Sequence, residues 1–151
     1  MLDIYIDADA CPVKEDTIRV AKRYSLKVTV VSNSPISLPR ETWIVPVVVG
    51  SGFDAVDDWI AEQIQKDDIV ITNDLLLAAQ CLKKEVRVID PRGKILTEDN
   101  IGDALANREL MYELRQMGSL KTGPKQMGKK HRSNFLAALD QVINKVRSGN
   151  R

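Results

Sequence analysis

Two aspartates lie one residue apart where the first apolar segment of the chain ends. Asp7 and Asp9 follow Leu2–Ile6 and precede Pro12, a residue typical of the first turn of a helix. Helix capping needs one acid, which Asp9 can supply, and Asp7 lies too far upstream to share that role. In an extended segment, side chains at i and i+2 point the same way. The spacing therefore predicts that both carboxylates face one ligand.

Further acids follow the later apolar segments of the chain. Asp57 follows the third such segment, Asp74 the fourth and Asp90 the fifth. Asp57 precedes Ile60 by about one helical turn, so we expect it to lean toward the apolar face of its helix. Each acid also has a structural explanation, such as helix capping by Asp74 or an ordinary turn at Asp90.

Carboxylates that crowd into one small volume repel each other and raise each other's pKa, unless a divalent cation neutralises them. Asp7, Asp9, Asp57 and Asp74 offer the oxygen ligands that Mg²⁺ and Mn²⁺ prefer. The chain has one histidine and two cysteines, which is a poor set of ligands for zinc. We therefore expect these four acids to hold Mg²⁺ or Mn²⁺.

An alternation of strand-like and helix-like segments would position these acids. Five segments are short and rich in Val and Ile, as is typical of strands covered on both faces. They are Leu2–Ile6, Lys27–Val31, Trp43–Val49, Asp68–Ile71 and Val86–Ile89. Helical patterns between most of them predict an α/β fold with a parallel, doubly wound sheet. All strands of such a sheet end at the same edge, which is where ligands bind.

Two further helices are expected after the fifth strand, at Asp99–Met117 and Ser133–Arg147. The basic, glycine-containing segment 118–132 between them is expected to be a mobile surface loop. With 151 residues and 44% hydrophobic composition, the chain 1–151 is expected to form a single domain with a substantial core.

The net charge of +1 conceals an asymmetry, because residues 121–151 carry eight Lys or Arg residues and one acid. This basic segment favours a polyanionic partner, although a solvated helix end is an equally good explanation. No apolar run could cross a membrane, no signal-peptide pattern opens the chain, and the low cysteine content favours a cytoplasmic location. The oligomeric state is left open, and Trp43 or Trp59 could lie in a homodimer interface.

Three basic residues occur where an anion could bind. Lys14 lies in the first turn of the helix that begins near Pro12, so it could reach a phosphate at the positive end of that helix. Arg108 and Arg115 are seven residues apart and share one helix face. A basic pair on an apolar face pairs with buried acids or faces an anion in a cleft, and we favour the cleft.

These residues resemble the YaiI/YqxD family of bacterial proteins over nearly the whole chain. The resemblance rests on Asp7-Ala-Asp-Ala-Cys-Pro-Val-Lys14, Gly52-Phe-Asp-Ala-Val-Asp57, Thr72-Asn-Asp74, Leu77-Ala-Ala79, Asp90-Pro-Arg-Gly93, Asn100-Ile101, Arg108, Arg115 and Gly123-Pro124. One departure is His131, which occupies a position where an acidic residue is expected.

The family is in turn similar to PIN-like nucleases, which implies a five-stranded parallel sheet of order 3-2-1-4-5 with two extra C-terminal helices. By this resemblance Asp7, Asp57 and Asp74 match the catalytic, metal-binding acids, and Asp9 is an additional carboxylate. The implied activity is metal-dependent hydrolysis of RNA. The residues expected to bind the RNA backbone are Lys14, Arg92, Arg108, Arg115, Lys129, Lys130 and Arg132.

Two alternatives remain open. In a phosphatase of the haloacid-dehalogenase type, Asp7 would be the nucleophile and Asp9 the general acid, and Val31-Ser-Asn-Ser34 resembles the second motif of that class. Against it, Ala10 replaces the usual Thr or Val and no cap domain is present. The other alternative is a non-catalytic module that binds RNA or a nucleotide and keeps the metal for structure.

Overall fold

The computed structural model describes residues 2–8, 12–52, 54–118 and 128–149, which form an α/β fold. Its elements in chain order are β1 (Asp3–Asp7), α1 (Lys14–Tyr24), β2 (Lys27–Ser32), β3 (Ile44–Val48), α2 (Ala55–Gln63), β4 (Ile69–Ile71), α3 (Leu75–Leu82), β5 (Arg87–Ile89), β6 (Ile95–Leu96), α4 (Glu98–Gln116) and α5 (Lys129–Arg147). The crossover from β2 to β3 lacks a helix, as its sequence pattern indicates.

The six strands form one sheet in the order β3-β2-β1-β4-β5-β6. β1 to β5 pair in parallel, and β6 pairs antiparallel with β5. The α/β class and the parallel central sheet predicted from the sequence are confirmed. The predicted count of five strands is wrong, because the two-residue strand β6 is too short to show a periodic pattern.

Helices cover both faces of the sheet. α1 and α5 pack on one face, where Phe135, Leu139 and Ile143 of α5 are fully buried. α2 and α3 pack on the other face, together with the first half of α4. Burying each large apolar side chain contributes about 1.5–3 kcal/mol, so α5 is a structural part of the core. No helix within the described ranges is long and apolar enough to cross a membrane.

Helix α5 begins earlier than its sequence pattern predicts. The apolar stripe that identifies the helix starts at Phe135, and the prediction placed its first residue at Ser133. The structure starts α5 at Lys129, so residues 129–132 are helical and do not belong to a loop. A polar first turn carries no apolar periodicity, which explains the difference. The rest of the predicted loop, residues 119–127, lies outside the described residues.

Candidate active site at the carboxyl edge of the sheet

Asp7 is the last residue of β1, and its carboxylate is fixed by the neighbouring strand β4. The side chain is only 5% exposed. Thr72, the first residue after β4 and itself fully buried, donates its hydroxyl to Asp7 Oδ2 at 3.0 Å. Because β1 and β4 are paired in the sheet, this bond holds the carboxylate at the carboxyl edge, as the strand pattern predicts.

The same hydroxyl connects Asp7 to the start of α3. The backbone N–H of Asp74 donates to Thr72 Oγ1 at 3.0 Å. Asp74 caps α3, since its Oδ1 accepts from the N–H groups of Leu76 at 2.9 Å and Leu77 at 3.1 Å. The predicted capping role of Asp74 is therefore confirmed. The cap fixes the orientation of this carboxylate, and the positive end of the helix stabilises its charge.

Asp57 completes the group from a third element. It lies partly buried in the first turn of α2 and shares a hydrogen bond with Asp74. Burial, the hydrogen bond with Asp74 and the charges of Asp74, Asp7 and Asp54 together raise the pKa of the Asp57 carboxyl to about 7, and burial is the largest of these causes. At neutral pH this carboxyl is therefore partly protonated. Its neighbour Asp58 is exposed.

We refer to Asp7, Asp57 and Asp74 as the acid cluster. Asp9, predicted as its fourth member, lies outside the described residues. Within the described part of the chain, no group of three or more His, Cys, Asp or Glu side chains has the spacing of a metal centre. The chemical type of the ligands nevertheless suits a hard cation such as Mg²⁺ or Mn²⁺, because the acid cluster offers only carboxylate oxygens.

A cleft of 780 Å³ opens beside the acid cluster, between the segment 90–94 and helix α4. Asn73 and Leu75, which flank Asp74 in the chain, line the cleft, whereas the three side chains of the acid cluster do not. Its basic lining residues are Arg92, Lys94, Arg108 and Arg115. We refer to this space as the cationic cleft. The structure thus brings three of the predicted substrate-binding arginines together.

The segment 90–94 is a tight turn. Asp90 Oδ1 accepts hydrogen bonds from the backbone N–H groups of Arg92 and Lys94, both at 2.9 Å. The expectation that Asp90 is an ordinary turn acid is confirmed. Through this turn, Arg92 and Lys94 reach one wall of the cationic cleft, opposite Arg108 and Arg115 on the wall formed by α4.

The remaining predicted substrate-binding residues lie elsewhere. Lys14 lines a separate depression of 400 Å³ between α1 and the β2–β3 crossover. The Arg132 guanidinium donates to both carboxylate oxygens of Asp16, at 3.0 and 2.9 Å, and Asp16 is only 2% exposed. Lys129 and Lys130 are exposed in the first turn of α5. The structure therefore does not bring these four residues into the cationic cleft.

Sequence reasoning did not assign roles to Thr72 or Lys94. A threonine directly after a buried strand, at the edge where the acids were expected, is the signal that could have identified Thr72. Ser32, which suggested a phosphatase motif, is 1% exposed and donates its hydroxyl to Ser34 O at 2.8 Å. That hydroxyl stabilises the loop after β2.

Comparison with known proteins agrees with the motifs. A UPF0178 protein of Rhodospirillum centenum is 52% identical over 153 residues, which cover 99% of each chain. A UPF0178 protein of Paramagnetospirillum magneticum is 50% identical over 147 residues, or 97% of each chain. No solved structure matches the chain. The family model described as "Uncharacterized BCR, YaiI/YqxD family" matches residues 5–145, and the chain therefore belongs to the YaiI/YqxD family.

Proposed function

For this member of the YaiI/YqxD family, we propose a PIN-like, metal-dependent nuclease that hydrolyses phosphodiester bonds in RNA. One observation carries the proposal: carboxylates from three separate elements meet at one edge of the sheet, and an arginine-lined cleft opens beside them. Metal-dependent phosphodiester hydrolysis uses both features. The carboxylates would hold the cation, and the positive side chains would bind the phosphates of the backbone.

The acid cluster would hold Mg²⁺ or Mn²⁺, with Asp9 as a further ligand. When bound, such an ion lowers the pKa of a water molecule and stabilises the charge that develops on the phosphate. The hydrogen bond from Thr72 orients Asp7, and the cap of α3 orients Asp74. These bonds fix two of the three carboxylates before a ligand arrives, which reduces the entropy cost of assembling the site.

The cationic cleft supports a nucleic-acid backbone as the ligand. A guanidinium can donate two parallel hydrogen bonds to a phosphate, and Arg108 and Arg115 line one wall while Arg92 lines the other. Asn73 and Asn107 also line the cleft, and their amides match the 2′-hydroxyl that distinguishes RNA from DNA. Because phosphate contacts dominate, affinity should fall steeply with salt and vary little with sequence.

The proposal is tested by calorimetric titration of the protein with Mn²⁺ and Mg²⁺ and by cleavage of a mixed pool of single-stranded RNA. We expect the wild type to bind the ion and cleave RNA, and Asp7→Asn to lose both properties. Asp58→Asn is the matched control, because it makes the same substitution at an exposed acid next to the acid cluster and should change neither property. An Asp7→Asn variant that still cleaves RNA would contradict the proposal.

A second candidate is a non-catalytic module that binds RNA. The observation in its favour is that the carboxylates of the described residues do not have metal-centre spacing, whereas the cationic cleft is already formed. The same experiment separates the two functions. RNA binding without ion binding and without cleavage would favour the module.

A further inference from the structure

The turn formed by residues 90–94 holds its shape through its own hydrogen bonds. In addition to the two bonds that Asp90 Oδ1 accepts, Asp90 N donates to Lys94 O at 2.9 Å and Gly93 N donates to Asp90 O at 3.0 Å. Pro91, within the turn, is buried. A turn fixed in this way moves as a unit, so any displacement of Gly93 also displaces the adjacent Arg92.

Gly93 lies directly against the backbone of helix α5. A Cβ atom at this position would lie 2.5 Å from the carbonyl carbon of Asn134, 2.6 Å from its oxygen and 2.7 Å from the nitrogen of Phe135. Side chains do not approach backbone atoms this closely. Gly93 also has a φ angle of 93°, which residues with a side chain rarely adopt. Both observations require glycine at this contact.

Helix α5 cannot easily move away from the turn. Phe135, whose nitrogen faces Gly93, is fully buried in the core between α5 and the sheet. One turn earlier, Arg132 binds the buried carboxylate of Asp16 and so fastens α5 to α1. A side chain at position 93 would therefore displace the turn, and the arginine it carries would move within the cationic cleft.

We infer that Gly93 is a positioning residue for phosphate binding: its contact with α5 sets the location of Arg92 opposite Arg108 and Arg115. The two walls of the cleft are thus held by different helices, one wall being α4 itself and the other being the turn packed on α5. The inference rests on the proposed function for the identity of the ligand, an RNA phosphate. It does not depend on catalysis, because binding is a property of the cleft.

The test is a double-mutant cycle on the binding of a fluorescein-labelled single-stranded RNA, followed by anisotropy in EDTA at low salt. Arg92→Ala and Gly93→Ala should each weaken binding about tenfold, since each removes the same phosphate contact. The double variant should bind no more weakly than Arg92→Ala, because the two residues act through one interaction. Gly102→Ala is the control, since no atom lies within 4 Å of its added Cβ.

Two further measurements separate positioning from general damage. Mn²⁺ binding by the acid cluster should be the same in Gly93→Ala and in the wild type. Asp90→Ala removes the acceptor of two turn hydrogen bonds without adding a group against α5, and it should reduce RNA affinity about threefold even if Gly93→Ala does not fold. Because it also removes a negative charge from the lining of the cleft, which by itself favours RNA binding, the loss reports on the turn. The inference would be overturned if the two fold-losses of RNA affinity multiplied in the double variant. It would also be overturned if Gly93→Ala bound RNA with wild-type affinity.

Failure of this inference can be distinguished from failure of the proposed function. If the wild type bound RNA with this mutational pattern but cleaved none, the hydrolysis proposal would fail and the positioning role would stand. If the wild type did not bind RNA, pyrophosphate would replace it as the probe, with the Nε–H signals of the arginine side chains followed by NMR. Unchanged Arg92 and Arg108 signals in that titration would overturn the inference.

Discussion

Replacing Asp57 by Asn should stabilise the protein at pH 8 and change its stability little at pH 4. The folded-state pKa of Asp57 is raised, chiefly by burial, from 3.8 to about 7. Between these pH values the folded chain retains a proton that the unfolded chain has lost. Stability from this group is therefore present at low pH and is lost as the pH rises through about 7. Asparagine is neutral at every pH in this range, so the variant does not lose stability as the pH rises.

The size of the effect follows from the two pKa values. The difference between 3.8 and about 7 corresponds to about 4 kcal/mol, at about 1.4 kcal/mol per pKa unit. Asp57 is only partly buried, and solvent screens the charges around it. We therefore expect a gain in the free energy of unfolding of about 1–2 kcal/mol at pH 8. The amide of asparagine can still donate a hydrogen bond to Asp74.

The assay is urea unfolding of both proteins at pH 4, 6 and 8 in EDTA, with Asp58→Asn as the exposed control in the same helix. The difference in stability between Asp57→Asn and the wild type should grow with pH. Adding Mg²⁺ at ten times its dissociation constant should raise wild-type stability by about 1.4 kcal/mol. An Asp57→Asn variant that is less stable than the wild type at pH 8, or equally stabilised at every pH, would refute this reasoning.

Three further substitutions test contacts that hold the fold together, the first of them beside the acid cluster. Thr72→Val keeps the side-chain shape but removes the hydroxyl that binds Asp7, so calorimetry should show weaker Mn²⁺ binding and urea unfolding a loss of about 1–3 kcal/mol. Lys84→Met removes an ammonium that donates to carbonyl oxygens at the end of α2, which should cost about 1 kcal/mol in the same assay. Arg132→Ala leaves the buried carboxylate of Asp16 without its bidentate partner, and thermal unfolding should show a lower midpoint, whereas Arg132→Lys should recover part of it.

The elements that the sequence predicted correctly are those that carry a local pattern. Continuous Val and Ile runs mark the buried strands, and the apolar spacing from Phe135 to Ile143 marks α5. Strand β6 has two residues and no pattern of its own, since it exists by pairing with β5. The first turn of α5 is polar, and tertiary packing rather than periodicity determines where that helix begins.

The candidate site also has features that the sequence could predict and features that it could not. The approach of Asp7 to Asp74 follows from the rule that parallel strands end at one edge, so the sequence could predict it. The bond between Arg132 and Asp16 joins residues 116 positions apart, and no local pattern indicates it. The raised pKa of Asp57 depends on burial and on charges from other elements. Long-range contacts that follow from neither a local pattern nor a rule of sheet topology could be found only in the structure.

The packing of α5 on the turn has a consequence for the order of events during synthesis. The sheet strands and the acid cluster are complete in the chain well before the ribosome adds residues 129–147. Until α5 exists, the part of the sheet that receives Phe135 is open to water, and the turn that carries Gly93 has no helix to pack against. A nascent chain could therefore gather its carboxylates early, but it would acquire a formed anion-binding wall only after α5 emerges and docks.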